Sequence, residues 1–206
     1  MNALKFSLRN YLVIILLIMP TAANAEGAED PYKKIETVTV ELLDIIGVYQ
    51  KDYPKNDQQY FEALDELLDD TVASKFIAKR VMDIYYAKAT QEQRELFIQK
   101  FRRGLIETYG RGLINYGDQQ IVLVDQKPLK AGQRTLVVKQ EIRSDGDSYP
   151  LQYSMARKKT GEWMVINMTI SGINLREIFR SQFIQAARRS SGDLDIVIAE
   201  WTAESN

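Results

Sequence analysis

The residues that could do chemistry in this chain are defined first by two absences: it has no histidine and no cysteine. A Ser-His or Cys-His nucleophilic pair is therefore excluded, and so is a Cys/His zinc site. Acid–base work would fall to carboxylates, lysine or tyrosine. The combinations available are Asp83 or Glu141 with Tyr109 or Tyr153. Such a pairing would suit a small-molecule enzyme on a cone-shaped α+β scaffold, an isomerase-like fold. The arginines offer a different chemistry. Arg102-Arg103 could meet a phosphate or an acidic partner, and Arg188-Arg189 invites the same reading, while Arg180 reads as a structural or docking residue. Adjacent arginines on a helix are more commonly a solvated face.

These residues sit in a chain of 206, enough for one domain. Hydrophobic residues make up 45% and charged residues 27%, a globular composition. A formal charge of −1 gives no electrostatic case for nucleic acid.

Met1 to Ala25 reads as a cleavable secretory signal peptide. Lys5 and Arg9 supply the basic start, Tyr11 to Met19 the apolar run, and Ala23-Asn24-Ala25 the small-residue cleavage site. The apolar run is too short to span a bilayer as a helix, which argues against an uncleaved anchor. The expected destination is the periplasm, and residues 26–206 are expected to form a single domain. Losing Lys5 and Arg9 takes the formal charge from −1 to −3. Export permits disulfides, but none can form, so the hydrophobic core must hold the fold alone.

The first two thirds of the mature chain have helical periodicity. Ile35, Val38, Leu42, Leu43, Ile45 and Ile46 mark a first helix, with Asp30 as cap and Pro31 in its first turn. Tyr60, Phe61, Leu64, Leu67 and Leu68 mark a second. The run from Val72 to Tyr85 reads as a third. Thr90-Gln91-Glu92-Gln93 is a capping box opening the longest helix. Its stripe, Phe97, Phe101, Leu105, Tyr109 and Leu113, advances in steps of four. Gly104, Gly110 and Gly112 interrupt it, each at about 1 kcal/mol relative to Ala, which implies close backbone approach, a bend, or an end near Tyr109.

Period-two patterning then predicts strands at 119–125, 133–143, 149–157 and 162–170, with Asp145-Gly146 and Thr160-Gly161 as hairpin turns. Tyr149, Leu151, Tyr153 and Met155 share a face of the third strand. Alternation places Trp163 and Val165 on one face of the fourth strand, and Met164, Ile166, Met168 and Ile170 on the other. A helix capped by Asn174 follows, and a short one from Asp193 closes the chain. The expected fold class is α+β: a curved four-stranded antiparallel meander covered by about six helices.

The stretch Tyr85-Tyr86-Ala87-Lys88-Ala89-Thr90-Gln91-Glu92-Gln93-Arg94-Glu95-Leu96-Phe97 resembles the aromatic, A-T-x-x-Q-R-x-x-F core of the MlaC family of periplasmic phospholipid carriers, also called the toluene-tolerance family. Trp163-x-Val165, Gly172-Ile173-Asn174-Leu175 and Phe179-Arg180-Ser181-Gln182-Phe183 resemble its W-x-V…G-V-S-L…Y-R-x-x-F pattern. The chain departs from that pattern at Asp83, where the family often has Gly, at Asn167 (often Asp) and at Asn174 (often Ser). The resemblance implies a non-enzymatic carrier with no cofactor and no metal. It would hold phospholipid acyl chains in a pocket between sheet and helices. It implies two partners: an inner-membrane ABC transporter with an MCE-domain ring, and an outer-membrane lipoprotein–porin complex. The carrier is expected to be a monomer that binds no nucleic acid. Another lipid, such as a hopanoid, is the alternative within the family.

Shielding a lipid tail needs an apolar hollow, not a catalytic group. Burying roughly 16 methylenes is worth on the order of 12 kcal/mol, and aromatic and methionine side chains offer adaptable walls. The candidate lining residues are Phe76, Val81, Tyr85, Phe97, Phe101, Leu105 and Tyr109 from the helices. From the sheet come Val138, Leu151, Tyr153, Met155, Trp163 and Val165, with Ile173 and Phe179 closing one side. Each of these would also serve as an ordinary core residue.

Overall fold

The computed structural model describes residues 29–203, so the signal peptide expected at 1–25 lies outside the described residues. Five helices come first: α1 (Pro31–Tyr49), α2 (Asp57–Asp69), α3 (Ser74–Met82), α4 (Ile84–Lys88) and α5 (Gln91–Leu113). The strands follow: β1 (Gln120–Val124), β2 (Thr135–Ser144), β3 (Asp147–Arg157), β4 (Trp163–Ile170) and β5 (Ile173–Asn174). Helices α6 (Leu175–Arg189) and α7 (Leu194–Glu200) complete the chain. The strands pair antiparallel in the order β1-β2-β3-β4-β5, an open meander.

Local chemistry sets the helix starts. The Asp30 carboxylate accepts the Tyr32 N–H at 2.9 Å, with Pro31 in the first turn. At α5 the capping box closes in both directions. Gln93 N–H donates to the Thr90 hydroxyl at 3.1 Å, and Thr90 N–H donates to the Gln93 amide oxygen at 3.0 Å. Asn174 caps α6 by accepting the Glu177 N–H at 3.2 Å.

Three features differ from the sequence expectation. Ser171 and Gly172 both have positive φ (48° and 85°), so they form a two-residue hairpin turn and not merely the lead-in to a helix. Ile173 pairs with Ile170 across that turn, which makes a fifth strand. The run from Val72 to Tyr85 is not one helix. Asp83, at φ 50° and ψ −125°, separates α3 from α4. Val72 lies ahead of α3 in an extended segment against β4, where Ala73 N–H donates to Val165 O and Val165 N–H to Thr71 O.

The glycines of α5 do not end it at Tyr109: the helix runs on to Leu113. A Cβ on Gly110 would come within 2.9 Å of Leu64 Cδ1 and 3.1 Å of Phe61, so Gly110 lets α2 approach closely. Gly104 does the same for Trp201 and Ala203, just beyond α7. Arg102 fastens the α2–α5 contact by donating to the carboxylates of Asp65 and Asp69 and to Asp65 O.

Candidate functional site: the seam between sheet and helices

The apolar side chains divide into three clusters. One is helical: Val81, Phe97, Phe101, Phe179 and Phe183 are buried in it, with Tyr85, Leu105, Tyr109 and Trp201 at its margin. Its rings interlock, with Phe97 4.8 Å from Phe183 and Phe101 5.2 Å from Trp201 between centroids. A second joins α1 to the sheet: Ile35, Val138, Met155, Trp163 and Val165, with Tyr153 at the edge. The third joins α1, α2 and the far side of α5 through Ile46, Tyr60, Leu64 and Ile106. No α5 side chain packs into the sheet cluster. The boundary between the sheet's inner face and the helical wall is a seam, bridged by Val72, which packs against both clusters.

Strand pairing defines that inner face. Val138 opposes Tyr153, Gln140 opposes Leu151, and Ile142 opposes Tyr149. On the next strand Leu151 opposes Ile170, Tyr153 opposes Met168, and Met155 opposes Val165. The register shifts between Ser154 and Met155, skipping Ile166. That bulge reverses the alternation of β4, so Trp163 and Val165 share their face with Met168 and Ile170. This corrects the sequence expectation, which puts Met168 and Ile170 on the opposite face. Strict alternation fails there because one extra residue sits in the strand.

Gln140 lies on the inner face between Val138 and Ile142, only 2% exposed. Its amide oxygen accepts from the Tyr153 hydroxyl at 3.0 Å, and its Nε2 donates to the Thr39 hydroxyl oxygen at 2.9 Å. The Thr39 hydroxyl donates to Ile35 O at 2.7 Å. This chain satisfies buried polar atoms and ties α1 to the sheet. Burial pushes the Tyr153 phenol well above the ordinary tyrosine range. Gln140 is absent from the sequence-derived candidates, although its even-numbered place between Val138 and Ile142 was the available signal.

At one end the seam is open. A cleft of about 510 Å³ lies between Gly112, Leu113 and Tyr116 at the end of α5 and the cross-strand pair Ile142 and Tyr149. It adjoins a polar cleft of about 780 Å³ around the β2–β3 turn, where Asp118, Arg143 and Asp147 line the wall.

The fifteen candidate lining residues fall into a helical wall, a sheet wall and two outliers. Val81, Tyr85, Phe97, Phe101, Leu105, Tyr109 and Phe179 belong to the helical wall. Val138, Tyr153, Met155, Trp163 and Val165 belong to the sheet wall. Leu151 is buried on the same sheet face. Phe76 and Ile173 lie outside both walls, at 37% and 54% exposure, and Phe76 carries the Arg80 guanidinium 5.3 Å above its ring. Tyr49 and Tyr53 both pack on Tyr60, and the Tyr60 hydroxyl donates to Gly110 O at 3.0 Å.

Each carboxylate of the acid–base combinations considered from sequence is paired with an arginine. The Asp83 carboxylate accepts from Arg180 at 2.8 Å. Glu141 pairs with Arg143 and occupies the sheet face opposite Tyr153. Among the described residues no group of three or more carboxylates is placed to hold a metal ion. Arg102 is committed to α2, and Arg103 pairs with Glu107 on its own helix. No described helix is long and apolar enough to cross a membrane.

The helix-covered open meander is a fold shared with a solved structure, a phospholipid-binding protein from Ralstonia solanacearum in complex with a phospholipid. The TM-score is 0.71 at 21% identity, covering 83% of this chain and 94% of that one. The sequence relatives are more specific. The chain is 34% identical over 198 residues to toluene tolerance protein ttg2D of Pseudomonas putida, spanning 96% of this chain and 90% of the relative. It is 26% identical over 176 residues to the intermembrane phospholipid transport system binding protein MlaC of Haemophilus influenzae, spanning 84% and 80%. The MlaC protein family pattern matches residues 36–203. The chain belongs to the MlaC family.

Proposed function

We propose that this protein is a non-enzymatic periplasmic phospholipid carrier, exported by a cleaved signal peptide and folded as one domain over residues 26–206. The observation that carries the reading is the seam. An apolar sheet face, with Val138, Leu151, Tyr153, Met168 and Ile170, lies behind an α5 wall whose side chains pack elsewhere, and the seam ends in an open cleft. Acyl chains would enter at the cleft between Tyr149 and Tyr116 and part α5 from the sheet. Leu105 and Tyr109 would form one wall, and Leu151 and Tyr153 the other. The interlocked rings of Phe97, Phe101 and Phe179 would anchor the helical layer while it moves. The Thr39–Gln140–Tyr153 chain would hold α1 on the sheet as the seam opens. Binding is driven by removing tail surface from water, at about 0.8 kcal/mol per methylene.

Membership of the MlaC family supports exchange with two membrane complexes. One is an inner-membrane ABC transporter bearing an MCE-domain ring, and the other an outer-membrane lipoprotein–porin complex. Shuttling between them follows from the carrier reading, because a shielded tail can cross an aqueous gap. The test is native mass spectrometry of gently purified protein, followed by solvent extraction and mass analysis. Stoichiometric phospholipid is the expected result. A lipid-free protein that stays lipid-free after incubation with phospholipid vesicles would remove the proposal.

A further inference from the structure

The face formed by α3, α4 and the first turn of α5 is rich in cations. Between residues 74 and 94 stand five cations, Lys75, Lys79, Arg80, Lys88 and Arg94, against two carboxylates, Asp83 and Glu92. Asp83 is already engaged by Arg180, which comes from α6. Among the described residues none of the five cations makes an ion pair.

Four of them lie over aromatic rings instead. Lys79 is 5.1 Å and Arg94 4.6 Å from the centre of the Tyr86 ring. Arg80 is 5.3 Å from Phe76 and Lys88 5.4 Å from Tyr85. A ring face attracts a cation without cancelling its charge; the nearest carboxylates, Glu92, Glu95 and Asp195, gather at the start of α5, where Gln93 Nε2 donates to Asp195 at 2.8 Å, so the positive excess lies on α3 and α4. Lys75, Lys79, Arg80 and Lys88 are exposed, and Phe76 and Ile84 are exposed beside them at 37% and 61%.

We infer that this face docks the protein onto an anionic lipid bilayer. Basic residues mixed with aromatic and aliphatic side chains suit the headgroup layer, where rings sit at the interface and ammonium groups meet phosphate. Three of the four exposed cations are lysines, compact charges on flexible stems that adapt to a fluid array of phosphates. Both clefts described above lie at the other end of α5 and around the β2–β3 turn. A docked molecule would therefore approach the membrane with a surface distinct from the cleft. Docking of this kind is independent of what the seam carries.

The test is co-sedimentation with vesicles of pure phosphatidylcholine and of an equimolar phosphatidylcholine–phosphatidylglycerol mixture, at low and at physiological salt. Two variants with equal charge change are compared with the unmodified protein. One combines Lys75→Gln, Lys79→Gln and Arg80→Gln. The other combines Lys51→Gln, Lys130→Gln and Lys159→Gln, exposed lysines from other elements. The unmodified protein is expected to bind the anionic vesicles, to release with salt, and to ignore phosphatidylcholine. Each removed cation weakens partitioning about fivefold, so the α3 variant loses on the order of a hundredfold. The control variant keeps most of the binding. Three results would each overturn the inference: no binding by the unmodified protein, equal binding to both vesicles, or equal loss in the two variants. An acidic protein as the true partner would appear as the first of these. Circular dichroism and lipid content of the α3 variant, expected unchanged, separate this failure from failure of the carrier reading.

Discussion

Asp83 holds a backbone conformation that a side chain resists. At φ 50° and ψ −125° it sits where glycine is at ease and L-residues are strained, a cost of about 1–3 kcal/mol. Its compensation is the 2.8 Å ion pair with Arg180, which joins the α3–α4 break to α6. Both partners of that pair are about a third exposed or more, so solvent screens it and its net contribution is small. Replacing Asp83 by Gly removes the strain and the pair together, and adds about 0.4–1 kcal/mol of unfolded-chain entropy to be overcome. Relief of strain is the largest of these three effects. Asp83→Gly is therefore expected to stabilise the fold by about 1 kcal/mol, a rise of roughly 2–4 °C in Tm for a domain of this size. Asp83→Ala loses the pair and keeps the strain, so it is expected to destabilise. Urea unfolding with an unchanged m-value measures both. Equal stability of the Ala and Gly variants would refute the strain at this position and leave the ion pair to account for any change.

Other consequences follow from the same packing. Tyr153→Asp places a carboxylate on the inner sheet face beside the Gln140 oxygen, so lipid content is expected to fall severalfold and stability with it, circular dichroism marking the folded fraction that is compared; unchanged lipid content in that fraction would remove Tyr153 from the proposed wall. Gly110→Val forces a branched side chain against Leu64 and Phe61, and overpacking of about 1–3 kcal/mol is expected to outweigh the helix-propensity gain in urea unfolding. Burial raises the Tyr60 phenol to about 12. The folded state thus keeps a proton that the unfolded chain releases near pH 10, so stability is full below pH 10 and declines as pH rises from 10 to 12. The slope is roughly 1.4 kcal/mol per pH unit from this group. Tyr60→Phe should flatten it, leaving the part due to Tyr153, at about 1 kcal/mol lost at neutral pH with the Gly110 carbonyl still bonded to Ile114 N–H. Stability measured across that range checks the sign.

What the chain determines by itself is local. Thr90 through Gln93 close a capping box because both bonds lie within one turn. Asp145-Gly146 makes the β2–β3 hairpin because both residues accept positive φ. Period-two runs located the four long strands for the same reason, since alternation is a property of neighbouring residues. Family membership was legible too, because it is carried by the order and spacing of short motifs.

Tertiary structure decided the rest. The bulge at Ile166 depends on how β4 meets β3, and it alone puts Met168 and Ile170 beside Trp163 and Val165 on the inner face. The sequence leaves open whether the glycines of α5 mean close approach, a bend or an end; the packing of Leu64 and Phe61 at Gly110 and of Trp201 at Gly104 assigns those two to close approach. Arg102 looked available for a phosphate until Asp65 and Asp69 of α2 were brought to it. Phe76 and Val81 read alike in the helical stripe, yet one faces solvent beneath a guanidinium and the other is fully buried. Periodicity tells which residues share a face; only the packing of elements distant in sequence determines what that face meets, because that choice is settled by contacts no single segment contains.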